Sequence, residues 1–248
     1  MISDRMAQVL RLLRPGQGSG DGAALAAAGA AALGVDGLAV SLAISGDLTE
    51  LWWCSTPSSR RFEDLQLTVG EGPGRDAART GAMVWAPDLD LVRPGRWPAL
   101  SAEFPALGVR AVFCFPLGVG AARVGVLTAV RDTAGPLSPQ QADDGLVLAD
   151  ALTAHFLGGG EPPGQDLDPA QAQQCLQHAV VYQATGMVSV QLAVTLPQAL
   201  LRLRAHAYSS GRSITDICHD VVARRLRLNP NGNGNNPFPP PSTRTDSP

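Results

Sequence analysis

The chain has 248 residues, of which 45% are hydrophobic and 17% charged, enough for one large domain or two modest ones. A formal charge of −3 excludes a protein that coats nucleic acid by bulk attraction. Cys54, Cys114, Cys175 and Cys218 lie far apart, with no C-x-x-C pair and no clustered histidines, so neither a zinc site nor a disulfide framework is expected. This cysteine usage fits the cytoplasm.

The total charge hides an asymmetry. Residues 1–157 hold 12 arginines against 16 acids, whereas residues 166–228 hold 6 arginines against 4 acids. All 19 basic residues are arginine, which the abundance of Ala, Gly and Pro assigns to a GC-rich genome.

Residues 1–19 read as a helix or flexible lead. "RLLR" followed by "AALAAAGAAALGV" imitates a signal peptide, but Asp21 and glycines interrupt it and the run is too short to span a bilayer. An Ala-rich helix from Asp21 is predicted instead, and no membrane partner is expected. "GLAVSLAI" and "LTELWWCS" follow as strands joined at Gly46-Asp47 as in a hairpin. "GPGRDAARTG" is a short glycine-initiated helix, "AMVWAPDL" a strand, and "WPALSAEFPALG" a helix or loop over the sheet. "VRAVFCFPLGVG" and "ARVGVLTAVRD" pair as strands turning at residues 118–121. A closing helix takes Ser138 as N-cap and Pro139 as its first residue. This order predicts an α+β domain over 20–157, an antiparallel sheet with helices packed on one face.

"GGGEPPGQDLDP" is the strong internal break, giving a linker at 158–168. Three helices are predicted over 169–228, sharing one small core. In the first, Leu176, Val180, Met187 and Val190 form one apolar stripe and Val181, Ala184, Val188 and Leu192 a second, wide enough for a partner helix as well. His178, Tyr182, Thr185 and Ser189 form the remaining strip, with Gly186 at its edge and Gln183 on the apolar side. Thr195 and Gln198 make a capping box, Pro197 sits in the first turn, and Leu196, Ala199, Leu200, Leu203 and Ala207 are the expected buried set. Gly211 ends that helix, Ser213 caps the third, and Ile214, Ile217, Cys218, Val221 and Val222 form its apolar face. Residues 229–248 read as a disordered tail.

"VGEGPGRDAARTGAMVWAPDL", "RWPAL", "GVRAVFCFPL" and "GVLTAVRD", in this order, resemble a GAF sensor domain over residues 20–157. "VVYQATGMVSVQLAVTLPQALLRLRAHAYSSGRSITDICHDVV" resembles the ANTAR domain, an RNA-binding output module, over about 172–226. The positions that carry the second likeness are Ala184, Gly186, Met187, Ala199, Leu203, Arg204, Ala207, Ile214 and Val221. Thr185 stands where that family usually has lysine, and Cys218 where alanine is commoner.

Together the resemblances imply a GAF-type α+β sensor followed by an all-α three-helix ANTAR-type bundle. Such a regulator binds hairpin loops of nascent RNA and prevents termination. They imply a homodimer, a small-molecule ligand at the sensor, no cofactor and no catalytic residue. The implied RNA contacts are Tyr182, Thr185, Gly186, Arg204, His206, Tyr208 and Arg212, with base stacking on the tyrosines. The implied ligand pocket takes in Trp53, Gly72, Trp85 and Phe113.

Plainer readings stand beside these. Gly186 can mark a close pass of two helices, Tyr208 can cap the bundle beside Leu201 and Ala205, and the tryptophans can be core. "GEGPG" lacks the Gly-Lys-Ser/Thr ending of a phosphate loop. Competing functions are a DNA-binding helix-turn-helix with "SSGRS" as its turn, a redox enzyme using Cys54 and Cys114, and a bundle that only dimerises or docks a protein. Against the DNA reading, Asp216, His219 and Asp220 line the polar face of the third helix.

Overall fold

Alternating side chains on extended backbone point to opposite faces, and here both faces of the central strands are apolar. Strands β1 (Gly37–Ile44), β2 (Asp47–Cys54), β3 (Val84–Ala86), β4 (Ala111–Val119) and β5 (Ala122–Arg131) form one antiparallel sheet, ordered β2-β1-β5-β4-β3. The computed structural model describes residues 2–13, 22–44, 47–93, 95–159, 169–229 and 234–235. The chain divides into two compact units, Met1–His178 and Ala179–Pro248.

In the first unit the helices are α1 (Asp4–Leu12), α2 (Gly22–Leu33), α3 (Pro57–Val69), α4 (Pro73–Thr80), α5 (Pro98–Ser101), α6 (Phe104–Leu107) and α7 (Pro139–Leu157). Met6, Val9, Leu25, Leu33, Leu148 and Leu152 from α1, α2 and α7 share a core with Leu38, Val40, Phe113, Phe115, Leu127 and Ala129 of the sheet. Helices α3 and α4 cover the opposite face, where Ser41, Cys114 and Thr128 are fully buried. The expectation of helices on one face is therefore corrected. Runs such as "AVFCFPL" are buried on both sides, as continuous apolar strands require.

Local signals position α4 and α7 as predicted, whereas α3, opened by a capping box of Thr56 and Ser59, was not among the expected elements. Ser138 caps α7 in a capping box with Gln141, and Pro139 opens the helix. Gly72 precedes α4, and Gly81 ends it in the left-handed region. The stretch 97–108 forms the two one-turn helices α5 and α6. The lead at 1–19 is no appendage over its described part. Met6 and Val9 are fully buried, and the Ser3 hydroxyl that caps α1 donates to Asp144 of α7 at 2.5 Å. Gly46 of the expected hairpin turn and residues 160–168 of the expected linker lie outside the described residues.

In the second unit, α8 (Pro169–Leu192) enters from the first, followed by α9 (Leu196–Ser210) and α10 (Ile214–Val222). The chain bends by 106° between Val180–Leu192 and α9. The Thr195–Gln198 capping box, Gly211 at φ 63° and the Ser213 cap all form. Val180, Val181, Ala184, Val188, Ala199, Leu203, Ala207, Ile214, Ile217, Cys218 and Val221 are buried.

Two predicted buried positions differ: Leu196 is 56% and Val190 85% exposed, and Gln183 is exposed rather than held in a seam. The side chain of Leu176 lies outside the described residues. Of the expected tail, only residues 229 and 234–235 are described, and the last two form a strand. Strand β6 (Arg227–Leu228) pairs antiparallel with β7 (Gly234–Asn235), and Gln191 Nε2 donates to the Leu228 carbonyl at 2.7 Å. Among the described residues no single helix is long and apolar enough to cross a membrane.

Candidate ligand cleft and candidate nucleic-acid face

Between α3 and the sheet lies a polar cluster that sequence reasoning missed. Helix α3 turns Phe62, Glu63, Gln66 and Leu67 inward at helical spacing. Glu63, Gln66, Ser41 and Thr128 have no solvent exposure. Ser41 Oγ donates to Glu63 Oε2 at 2.6 Å, and Gln66 Nε2 donates to Glu63 Oε1 at 2.9 Å. Gln66 Oε1 in turn accepts from the Gly74 amide at 2.8 Å. Burial pushes the Glu63 carboxyl above its ordinary range, although hydrogen bonds from Ser41, Thr128 and Gln66 oppose the shift.

The "GEGPG" loop is built around this cluster. A Cβ on Gly72 would stand 2.9 Å from Gln66 Cδ, and its φ of 140° already favours glycine. Glu71 Oε1 accepts from the amides of Ala99 and Leu100 at the start of α5. The loop braces α5 against α3 and presents no phosphate cradle.

The four predicted pocket residues do not converge. Trp53 and Phe113 belong to the core beneath α1, α2 and α7, while Gly72 lies on the opposite face. Trp52, Trp53 and Trp97 are at most 9% exposed, as the plainer reading expected, but Trp85 on edge strand β3 is 53% exposed. It lines an open cleft of about 570 Å³ together with Ala86, Pro87, Asp88, Leu91, Val92, Arg93 and Arg96.

Cys54 and Cys114 cannot work as a redox pair in this geometry. They sit on β2 and β4, which β1 and β5 separate. Three strand spacings of about 4.8 Å place them roughly 14 Å apart, well beyond disulfide reach. Cys114 is fully buried, and burial drives its thiol well above the ordinary range, with the Glu63 charge adding to the effect. Among the described residues no cluster of three or more His, Cys, Asp or Glu is placed to hold a metal ion.

In the helical unit the predicted RNA contacts separate into exposed and buried groups. Tyr182 is 37% and Tyr208 63% exposed, so Tyr208 does not cap a core; Leu201 and Ala205 beside it are exposed too. Gly186 borders open space among the described residues, with none of them within 4 Å of where a Cβ would stand. Two of its companions turn inward, contrary to expectation. Thr185 is 8% exposed, and its hydroxyl donates to the Val181 carbonyl at 2.6 Å, the back-bond available to a helical threonine. Arg204 is 9% exposed, on the same helix as the buried Ala199, Leu203 and Ala207.

His206 is half-buried on the polar side of α9. Arg212 pairs with Asp220 at 2.8 Å, and Arg225 reaches the other oxygen of that carboxylate at 2.8 Å. Burial works against the Asp220 charge, but these hydrogen bonds outweigh it and hold the carboxyl below its usual range. Arg224 and Arg227 are exposed nearby.

No protein-family model matches the chain, and no curated protein matches it. Solved structures are similar over about three fifths of the chain. The GAF domain of a phosphoenolpyruvate-protein phosphotransferase from Coxiella burnetii is 16% identical, covering 63% of this chain and 96% of its own, at a TM-score of 0.47. The A. aeolicus nlh2 GAF domain is 12% identical, covering 63% and 95%, at 0.45. A free methionine-R-sulfoxide reductase from Neisseria meningitidis is 20% identical, covering 63% and 93%, at 0.41.

Proposed function

We propose that the chain is a cytoplasmic, signal-responsive transcription regulator. A GAF-like first unit senses a small molecule, and an ANTAR-like second unit binds hairpin loops of nascent RNA and prevents termination, acting as a homodimer. The proposal gives the chain no catalytic role. One observation carries it: among the described residues, nothing packs against Gly186 where a Cβ would stand. A helix-interior glycine costs about 1 kcal/mol relative to alanine, and its open flank beside Tyr182 suits the close approach of a nucleotide. Charge contacts then fall to the exposed Arg212, Arg224, Arg225 and Arg227, since Arg204 is buried.

The test is a gel shift of the full chain with tandem-hairpin RNA and with a DNA duplex of equal charge. RNA binding is expected to be tighter and to weaken steeply with salt. Gly186→Leu is expected to weaken it by about tenfold, the loss of one stacking contact, while helicity stays unchanged. Equal affinity for RNA and DNA overturns the reading, as does a folded Gly186→Leu protein that binds RNA like the parent. If Gly186→Leu abolishes self-association and spares RNA binding, the open flank belongs to a helix pair between copies instead.

A further inference from the structure

The cleft beside β3 carries a more specific assignment, which rests on the sensor reading above. Edge strand β3 extends past the cover of α1, α2 and α7, so Trp85 stands beside the buried Phe113, its register partner, yet remains 53% exposed. A half-exposed indole on a rigid strand is a stacking surface with little conformational freedom to lose. Leu91, 80% exposed, and the half-buried Val92 complete an apolar wall. Leu91 closes a short 3-10 turn, Leu89–Leu91, that is anchored by buried Leu89 and by the Asp88 carboxylate accepting from the Asp90 amide. The apolar wall is thus fixed at both its strand and its turn.

The rim is cationic. Asp88 and Asp90 are both paired with Arg110, at 3.2 and 3.0 Å. Asp76 is shared among Arg79, the Trp97 indole N–H and Arg96, which lies 3.7 Å away and also stacks 4.2 Å over the Trp97 ring. Arg93 makes no ion pair among the described residues. Two arginines, Arg93 and Arg96, and one aspartate, Asp88, line the cleft, and Asp88 is already engaged by Arg110. The volume, about 570 Å³, lies in the range of small-molecule sites.

We infer that this cleft binds an aromatic carboxylate, its ring stacked on Trp85 against Leu91 and Val92 and its carboxylate held by Arg93, with Arg96 as second cation. A neutral aromatic would make no use of the Arg93 charge, and a phosphate-sized anion would leave the apolar wall wet. Arg96 can serve because its present partner, Asp76, keeps Arg79 and Trp97 when it turns.

The probes are 3-phenylpropionate and its neutral amide, 3-phenylpropanamide, titrated into the full chain without RNA. Trp85 is the exposed member of the four tryptophans, so its emission reports the cleft. Saturable quenching and heat are expected for the acid, with the amide about tenfold weaker, the loss of one charge-assisted contact. Arg93→Gln is expected to weaken the acid by a similar factor and leave the amide unchanged. Trp85→Phe should abolish the emission change while calorimetry still detects the acid. Equal binding of acid and amide, no saturable heat from either, or a response unaltered in both variants overturns the assignment. Because RNA is absent, failure here leaves the RNA-binding reading standing, and failure of RNA binding leaves the cleft standing.

Discussion

Two helix-interior glycines separate the two units by the reason each is there. On α7, a Cβ at Gly145 would run into the Phe115 ring; on α8, a Cβ at Gly186 would meet none of the described residues within 4 Å. The first glycine lets a helix lie close on the sheet. The second carries the same propensity cost with no packing in return among the described residues. Both units leave large apolar side chains more than half exposed: Trp85, Leu91, Val119 and Leu157 in the first, and Val190, Leu196, Leu201 and Tyr208 in the second. The contrast lies inside. The sheet unit fully buries Glu63 in a set of hydrogen bonds, whereas no acidic side chain among the described residues of the helical unit is buried.

The largest test of that contrast is Glu63→Ala. It strips partners from the buried Ser41 hydroxyl and Gln66 amide and is expected to cost the first unit about 3 kcal/mol. Urea unfolding followed by tryptophan emission reads this unit alone, since all four tryptophans precede residue 179. Glu63→Gln, whose amide can donate to Ser41 Oγ, should cost less and change the pH dependence. The native carboxyl is raised above the 4.5 of an ordinary glutamate, so the folded state holds a proton that the unfolded chain has released. Stability contributed by this group therefore falls as pH rises from 4.5 through the folded value and then levels off. The Gln variant lacks that slope, so its stability should gain on the parent as pH rises above 4.5. Parallel curves for the two proteins remove Glu63 as a titrating group.

Next in size is the glycine pair itself. Gly145→Val forces α7 off Phe115 and is expected to destabilise the first unit by about 1–3 kcal/mol. Gly186→Ala has the opposite sign, raising helical stability by up to about 1 kcal/mol. The second change is followed by far-UV circular dichroism and tyrosine emission, because Tyr182 and Tyr208 are the only tyrosines. A destabilising Gly186→Ala would show that the α8 flank is already covered, and the contrast between the units would collapse.

How much of this was legible depends on whether the signal is local. Caps were: Ser138 with Pro139, Thr195 with Gln198, Gly211 and Ser213 each act over four residues, and each formed where predicted. The five strands were legible from their apolar runs, but the two-sided cover was not, because continuous runs hide which neighbour lies on each face. Aromatic identity did not say where a ring points, so Trp53 and Phe113 were placed in a pocket they do not line. Glu63 did leave a trace. Ser59, Phe62, Gln66 and Leu67 mark a buried arc on α3, and Glu63 lies inside it. On α8 and α9, Thr185 and Arg204 sit at the border of the buried arc, where a small rotation of the helix decides exposure and periodicity cannot.

The smallest effect concerns Asp220, and its sign is opposite to that of Glu63. Burial disfavours its charge, but Arg212 and Arg225 hold the carboxyl below the ordinary 3.8. Its contribution is present above 3.8 and is lost as pH falls through the lower folded value. Acid unfolding followed by tyrosine emission should therefore show a shallower slope in Asp220→Asn than in the parent. The same substitution releases the Arg212 and Arg225 guanidinium groups. If these arginines meet RNA phosphates, Asp220→Asn should bind RNA more tightly and with a steeper salt dependence, despite a slightly weaker fold. A loss of both stability and RNA affinity would mean that the two ion pairs hold α10 in place and that the phosphate contacts lie elsewhere.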